Sequence, residues 1–336
     1  MRMERRFTVW AGAVGALVLG AAAGIADART QTVDVLYFVQ HGDIMLSSAW
    51  ASTFADPGLQ AGPAQVGALA LIAMSGTSAG ISEGLALSLV VQATIVGLLA
   101  VVTSLVLVGR TTRVRLAAQI LVVGVAIATG MIHRAYVYGH PAQVVIPLLW
   151  IAAGLSARKG RPVPAGVLVG LSASLETWGL LGVPMLLLGR DRRASSQALG
   201  GLLAVVVALY GPFVVAGEFR MFEYTWSVVD GSPASLVLSA GSPFTWWMRA
   251  AQGAAAVGAG ACVALRLRRS TALWAVPLVI VLVRVSMEPQ LNAWYLIAIE
   301  TAGLVAAADL CTGRLAAMRS RGAALPCESG SSMRAT

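Results

Sequence analysis

Charge is what this sequence has least of. Only 12% of its 336 residues are Asp, Glu, Lys or Arg, against roughly 25% in an ordinary soluble domain. Lys159 is the single lysine, and only three histidines and three cysteines occur. Hydrophobic residues make up 57% and the mean hydropathy is +0.78, more apolar surface than one soluble core of this length can hide. A soluble enzyme, a chain disordered throughout and a DNA-binding domain are excluded, and a polytopic membrane protein is implied. Cys262, Cys311 and Cys327 form no C-x-x-C pair, so neither a zinc site nor a disulfide framework is suggested. There is no Walker A loop, no strand-linked Gly-x-Gly-x-x-Gly and no His-Glu-x-x-His. No cofactor or metal is called for.

The net charge of +9 reads as topology. Nineteen of the 24 basic residues fall in clusters between apolar runs: Arg2 to Arg6, Arg110 to Arg115, Arg158 to Arg161, Arg190 to Arg193, Arg266 to Arg269, and the tail. Such clusters mark the cytoplasmic side. A basic face with a known nucleic-acid motif is missing, so no nucleic-acid partner is expected. Apolar runs occur at 7–26, 63–74, 82–108, 114–132, 141–157, 163–188, 196–216, 246–265, 271–284 and 293–310. The first, with Ala26-Asp27-Ala28 after it, has the form of a signal peptide. Among so many other spans it is expected as an uncleaved first helix with a cytoplasmic N-terminus.

The expected fold is all-α, a polytopic membrane bundle of about 8–10 transmembrane helices, some short or broken. The run 163–188 lies between two basic clusters, and 63–108 must cross an odd number of times although it looks like two helices. A re-entrant hairpin or broken helices reconcile both, and such backbone belongs where it is buried in protein or lines a cavity. Residues 1–310 are read as one integral membrane domain and 311–336 as a disordered cytoplasmic tail. The segments left outside are 27–62, 217–245 and 285–292, with a tight turn at 133–140. They hold eight of the 15 acids: Asp27, Asp34, Asp43, Asp56, Glu218, Glu223, Asp230 and Glu288. Gly76-Thr-Ser78-Ala-Gly80 matches Gly-x-Ser-x-Gly, but it lies between membrane helices rather than on a strand–turn–helix elbow. Ser78 is therefore read as a small polar residue at a helix break. Pairs such as Gly20/Gly24 and Gly166/Gly170 are suited to close helix packing.

The stretch 32–67 carries Asp34-x-x-Tyr37, His41-Gly42-Asp43, Phe54-Ala-Asp56-Pro57 and Gly62-Pro63. Its apolar residues, Val35, Phe38, Val39, Ile44, Met45, Leu46 and Trp50, are suited to lying on the membrane surface. Further along come Tyr138-Gly-His-Pro141, Ala165-Gly-Val-Leu-Val-Gly170 and Trp178-Gly-Leu-Leu-Gly-Val-Pro184. On these residues the chain resembles the GT-C superfamily of membrane glycosyltransferases. It looks most like the actinobacterial polyprenol-phosphate-mannose-dependent mannosyltransferases of glycosyltransferase family 87. Asp34, Tyr37, Gly42 and Pro63 fit the family's first extracytoplasmic loop, here 27–62 with juxtamembrane helices. Glu176 stands near the place where the family often has a Lys, a departure that bears on the donor-phosphate role of that spot.

The resemblance implies transfer of a sugar, mannose by preference, from a polyprenyl-phosphate donor to a glycolipid or cell-wall glycan on the extracytoplasmic face, with inversion. Such chemistry needs a carboxylate to deprotonate the acceptor hydroxyl, cations for the departing phosphate and a groove for the lipid. Asp34 is the candidate general base, with Asp43 and Asp56 as runners-up. Arg134 and Arg284, outside arginines at helix ends, are candidates for the phosphate, with His133 and His140 beside them. Tyr37, His41, Glu288, Gln290, Asn292 and Trp294 are candidates for the acceptor or sugar. The partners are then the donor, the acceptor and membrane lipids. A lipid or solute transporter or flippase, and a non-catalytic membrane subunit, stand as alternatives.

Overall fold

The structure is a computed structural model that describes residues 2–30, 33–189, 192–268 and 270–323. It is an all-α bundle. Among the described residues the α-helices are α1 (Arg2–Asp27), α2 (Val33–Met45), α3 (Pro63–Ser78), α4 (Glu83–Val106), α5 (Thr112–Ala128), α6 (Met131–Val137), α7 (Ala142–Arg158), α8 (Pro162–Leu175), α9 (Arg192–Ala216), α10 (Trp246–Arg266), α11 (Ala275–Val285) and α12 (Tyr295–Ala323). A 3-10 segment, Thr177–Leu188, follows α8. Strands β1 (Trp226–Ser227) and β2 (Pro243–Phe244) pair antiparallel with Trp226 opposite Phe244.

Four described helices are long and apolar enough to cross a membrane: Glu83–Val106, Arg193–Ala216, Trp246–Arg266 and Tyr295–Gly313. The pair α5–α6, bent by 54°, makes a fifth if taken as one broken span. The other apolar helices are shorter pieces, including α7, α8, the 3-10 segment and α11. The helix α12 continues to Ala323, past position 311 where the sequence places the start of the tail. Residues 324–336 lie outside the described residues.

The run 163–188 folds back on itself. A Cβ on Gly179 would lie 2.0 Å from the Ser172 carbonyl oxygen, so the returning chain touches α8 backbone to backbone. The buried Trp150 indole donates to both Ser172 Oγ (3.0 Å) and the Gly179 carbonyl (2.9 Å), locking the hairpin against α7. The small-residue pairs do what small-xxx-small pairs do in lipid. Gly20 and Gly24 of α1 meet the α4 backbone at Gln92 and Ser88, and Gly166 of α8 meets the α9 backbone at Ala198.

The apolar side of α2 corrects one expectation. Val35, Phe38 and Val39 are buried rather than laid on a membrane surface. Gly42 makes this possible, since a Cβ there would lie 2.4 Å from Ala70 Cβ of α3. The helix therefore docks on protein and holds its first turn, with Asp34, in a fixed place. Ser78 ends α3, and its hydroxyl donates to the Met74 carbonyl at 2.8 Å.

Candidate active site

One cavity of about 660 Å³ opens among the loops. Each of the four segments that the sequence places outside contributes to its wall: Asp34 and Tyr37 from 27–62, His140 from the 133–140 turn, Trp226 from 217–245, and Gln290 and Asn292 from 285–292. The hairpin tip at Glu176–Trp178 and the first turns of α10 close the remaining sides.

One end of the cavity is acidic. Asp34 lies in the first turn of α2, where the helix dipole favours a negative charge. Opposite it, α6 ends in a Schellman motif: His140 N–H donates to the Ala135 carbonyl (3.0 Å) and Gly139 N–H to that of Tyr136 (2.8 Å). Gly139 has φ +75°, and a Cβ there would lie 2.8 Å from Asp34 Cβ. Glycine is thus required twice, for the left-handed turn and for the approach to α2. The result is His140 Nε2 at 3.4 Å from Asp34 Oδ2 and Nδ1 at 3.4 Å from Glu176 Oε1. Trp294 stacks on the imidazole, 4.8 Å between centroids and 17° from parallel.

Glu176 sits in extended backbone at the break after α8, where Gly62 N–H donates to the Leu175 carbonyl at 2.7 Å. Its Oε2 accepts from Gln143 Nε2 (2.9 Å) and Trp178 Nε1 (2.5 Å). Burial alone would disfavour a charged His140. The contacts and negative charge of Asp34 and Glu176 outweigh it and raise the imidazole pKa to about 9.

The other end is cationic. Arg284 is 6% exposed and its guanidinium lies over Trp178 at 4.5 Å and Tyr295 at 5.0 Å. Arg249, in the first turn of α10, lies over Trp226 at 4.3 Å and Phe244 at 5.2 Å. Both pair with the fully buried Glu288, at 3.2 Å from Arg284 Nη2 and 2.6 Å from Arg249 Nη1. Gln252 accepts from Arg249 at 2.9 Å and donates to the Arg284 carbonyl at 2.6 Å. Arg284 Nη1 is buried with no hydrogen-bond partner. Trp178 touches both ends, donating to Glu176 and carrying Arg284 on its face.

Of the residues singled out in the sequence, Asp34, Tyr37, His140, Arg284, Gln290, Asn292 and Trp294 line the cavity. Glu288 lies behind its arginines. The others are engaged elsewhere. Arg134 pairs with Glu300 at 2.7 Å and His133 with Asp27 at 2.8 Å, tying α6 to α12 and to α1. His41 packs on the Tyr37 ring at 4.4 Å, and Asp43 is exposed. Asp56 accepts from Gly58 N–H and Tyr37 Oη, both at 2.8 Å, which hold its carboxyl below the usual range. Burial and this same bond raise the Tyr37 phenol.

Sequence reading missed Arg249 and Gln143. Arg249 had one visible signal, being one of the five basic residues outside the clusters. Among the described residues no group of three or more His, Cys, Asp or Glu is arranged to hold a metal ion. Gly139→Ala is expected to strain the left-handed turn by about 1–2 kcal/mol and to push His140 away from α2. Thermal unfolding together with a transfer assay checks this: a small loss of Tm with a large loss of turnover is expected.

No curated protein and no solved structure matches the chain. The family model of glycosyltransferase family 87 matches residues 66–289, more than half of the chain. The matched stretch contains His140, Glu176, Arg249, Arg284 and Glu288 and begins after Asp34. A helical, multi-pass membrane protein with a polar cavity among its loops, matched over this length, belongs to glycosyltransferase family 87.

Proposed function

We propose that this glycosyltransferase moves a sugar, mannose on the family resemblance, from a polyprenyl-phosphate donor to a glycolipid or cell-wall glycan on the extracytoplasmic face. The observation that carries the reading is a single cavity with a carboxylate at one end and two aromatic-backed arginines at the other. The acceptor hydroxyl gives its proton to Asp34. Its oxygen attacks the anomeric carbon, and the bond to the phosphate oxygen breaks with its electron pair leaving on the phosphate. One displacement inverts the configuration.

The charge of the cationic end supports a particular donor. Arg249, Arg284 and Glu288 sum to one positive charge, which matches the single negative charge of a phosphodiester better than a nucleoside diphosphate. As the bond breaks a second negative charge develops on the phosphate. Arg284 Nη1, buried without a hydrogen-bond partner, is a donor left for the phosphate, and its interaction strengthens as that charge develops in the transition state. The aromatic walls, with Trp178, Trp226, Trp246 and Tyr295, suit the first carbons of a lipid tail. The extracytoplasmic placement is supported by the lining: all four segments between the basic clusters reach the cavity, and none of the described cluster residues does.

The test is transfer of radiolabelled sugar from polyprenyl-phosphate-mannose to lipid extract, with a nucleotide-linked mannose in a parallel reaction. Transfer is expected from the lipid-linked donor and not from the nucleotide. The reverse result sinks the donor assignment. Arg284→Lys, which keeps the charge and loses the planar fork, is expected to lower kcat/KM for the donor about tenfold, or about 1.4 kcal/mol of transition-state binding.

A further inference from the structure

We infer that His140 and Glu176 form a positioning pair that aims the Asp34 carboxylate at the acceptor hydroxyl. The inference rests on Asp34 acting as the base.

Asp34 cannot aim itself. Its side chain is 45% exposed on the first turn of a helix, where water competes for both oxygens. The group at ion-pairing distance is His140 Nε2, and it faces Oδ2, leaving Oδ1 for the substrate. His140, by contrast, is held on every side. The Schellman turn fixes its backbone. Trp294 covers one face, and the Phe38 ring meets it edge-on at 6.0 Å. Glu176 holds Nδ1 and is itself held by Gln143 from α7 and Trp178 from the hairpin.

The charges agree with this role. The titratable groups that face the imidazole are Asp34 from α2 and Glu176 from the α8 break; α7 and the 290–295 segment present Gln143 and Trp294. A histidine with a carboxylate on each nitrogen carries both protons and donates in both directions. It is therefore a poor base and a good rigid donor. Glu176 thus has a use here: it keeps the histidine charged and oriented. The sign follows from the direction of the shift. The imidazolium is present at neutral pH and is lost as the pH rises through about 9.

The experiment is a set of pH–rate profiles with polyprenyl-phosphate-mannose for the full-length protein and its H140Q, E176Q and D34N variants. Wild-type kcat is expected to fall as the pH passes about 9. H140Q keeps a donor but loses the charge and the fixed reach. It is expected to lower kcat by on the order of 10²-fold, to leave the donor KM unchanged and to abolish the alkaline limb. E176Q removes one of the two carboxylates, so its limb is expected to move to lower pH. An E176Q limb at the wild-type pH, or an H140Q profile and kcat like wild type, overturns the positioning pair. If H140Q does not accumulate in the membrane, the E176Q limb decides alone. Wild-type transfer by D34N overturns the reading of Asp34 itself. An inactive D34N beside wild-type-like H140Q and E176Q overturns only the pair.

Discussion

Asp34→Asn is expected to lower sugar transfer by about 10²–10⁴-fold, the range for losing a positioned general base. The amide is nearly the same size as the carboxylate, so the docking of α2 on α3 through Val35, Phe38 and Gly42 is untouched. Its side chain is half exposed, so stability changes little, and a thermal melt alongside the assay separates lost chemistry from lost fold. The alternative bases separate by the same assay. Asp56 is committed to Gly58 N–H and Tyr37 Oη, and Asp43 is exposed and does not line the cavity. Asp43→Asn is expected to transfer like wild type. Asp56→Asn disturbs Tyr37 and is expected to have a smaller effect than Asp34→Asn. Equal loss in all three variants contradicts the ranking.

Glu288→Ala is expected to be the most destabilising single change near the cavity. The carboxylate is fully buried between Arg249 and Arg284, whose side chains are 13% and 7% exposed. Removing it leaves two buried cations facing each other without their counter-ion, and breaking such an arrangement costs about 3–5 kcal/mol. The loss also reaches the loop 217–245. Ala234 N–H donates to the Glu288 carbonyl at 3.1 Å and Val229 N–H to that of Pro289 at 2.8 Å, so the backbone near 288 carries the strap that holds Trp226. Thermal unfolding in detergent is expected to show a large drop in Tm.

Replacing all three charges together by apolar residues of similar volume is expected to recover much of that stability. Transfer does not return with it, because nothing then holds the phosphate. A triple variant that is stable and active contradicts the role of the arginines.

The legible parts of the fold were those governed by lipid. Long apolar runs became helices at nearly their expected places, and the conflict in 163–188 turned out to be a hairpin. Crossing parity, read from the Arg clusters, asked for a re-entrant hairpin or broken helices there, and the structure has the hairpin. Lengths were less legible. The run 114–132 breaks at Gly130, whose φ of +69° turns the chain into α6, and no residue count anticipates a 54° bend.

The cavity was half legible. Asp34, Tyr37, Arg284 and Trp294 lie in polar islands between apolar runs, where few residues compete for attention. Arg134 and His133 share that pattern yet serve helix packing, since an outside position does not say which neighbour faces it. Arg249 was hidden for the opposite reason: it lies beside an apolar helix and gains its meaning from a partner distant in sequence, Glu288, and Glu176, visible as an acid, gains its meaning only from the equally distant His140.

The most direct test of the central claim, one cavity with a proton acceptor at one end and a phosphate clamp at the other, separates donor binding from turnover. Equilibrium binding of polyprenyl-phosphate-mannose and single-turnover transfer are measured on wild type, Asp34→Asn and Arg284→Ala. Asp34→Asn is expected to bind the donor like wild type and to transfer almost nothing, and Arg284→Ala to lose donor binding. Wild-type transfer by Asp34→Asn, or undiminished donor binding by Arg284→Ala, contradicts the account.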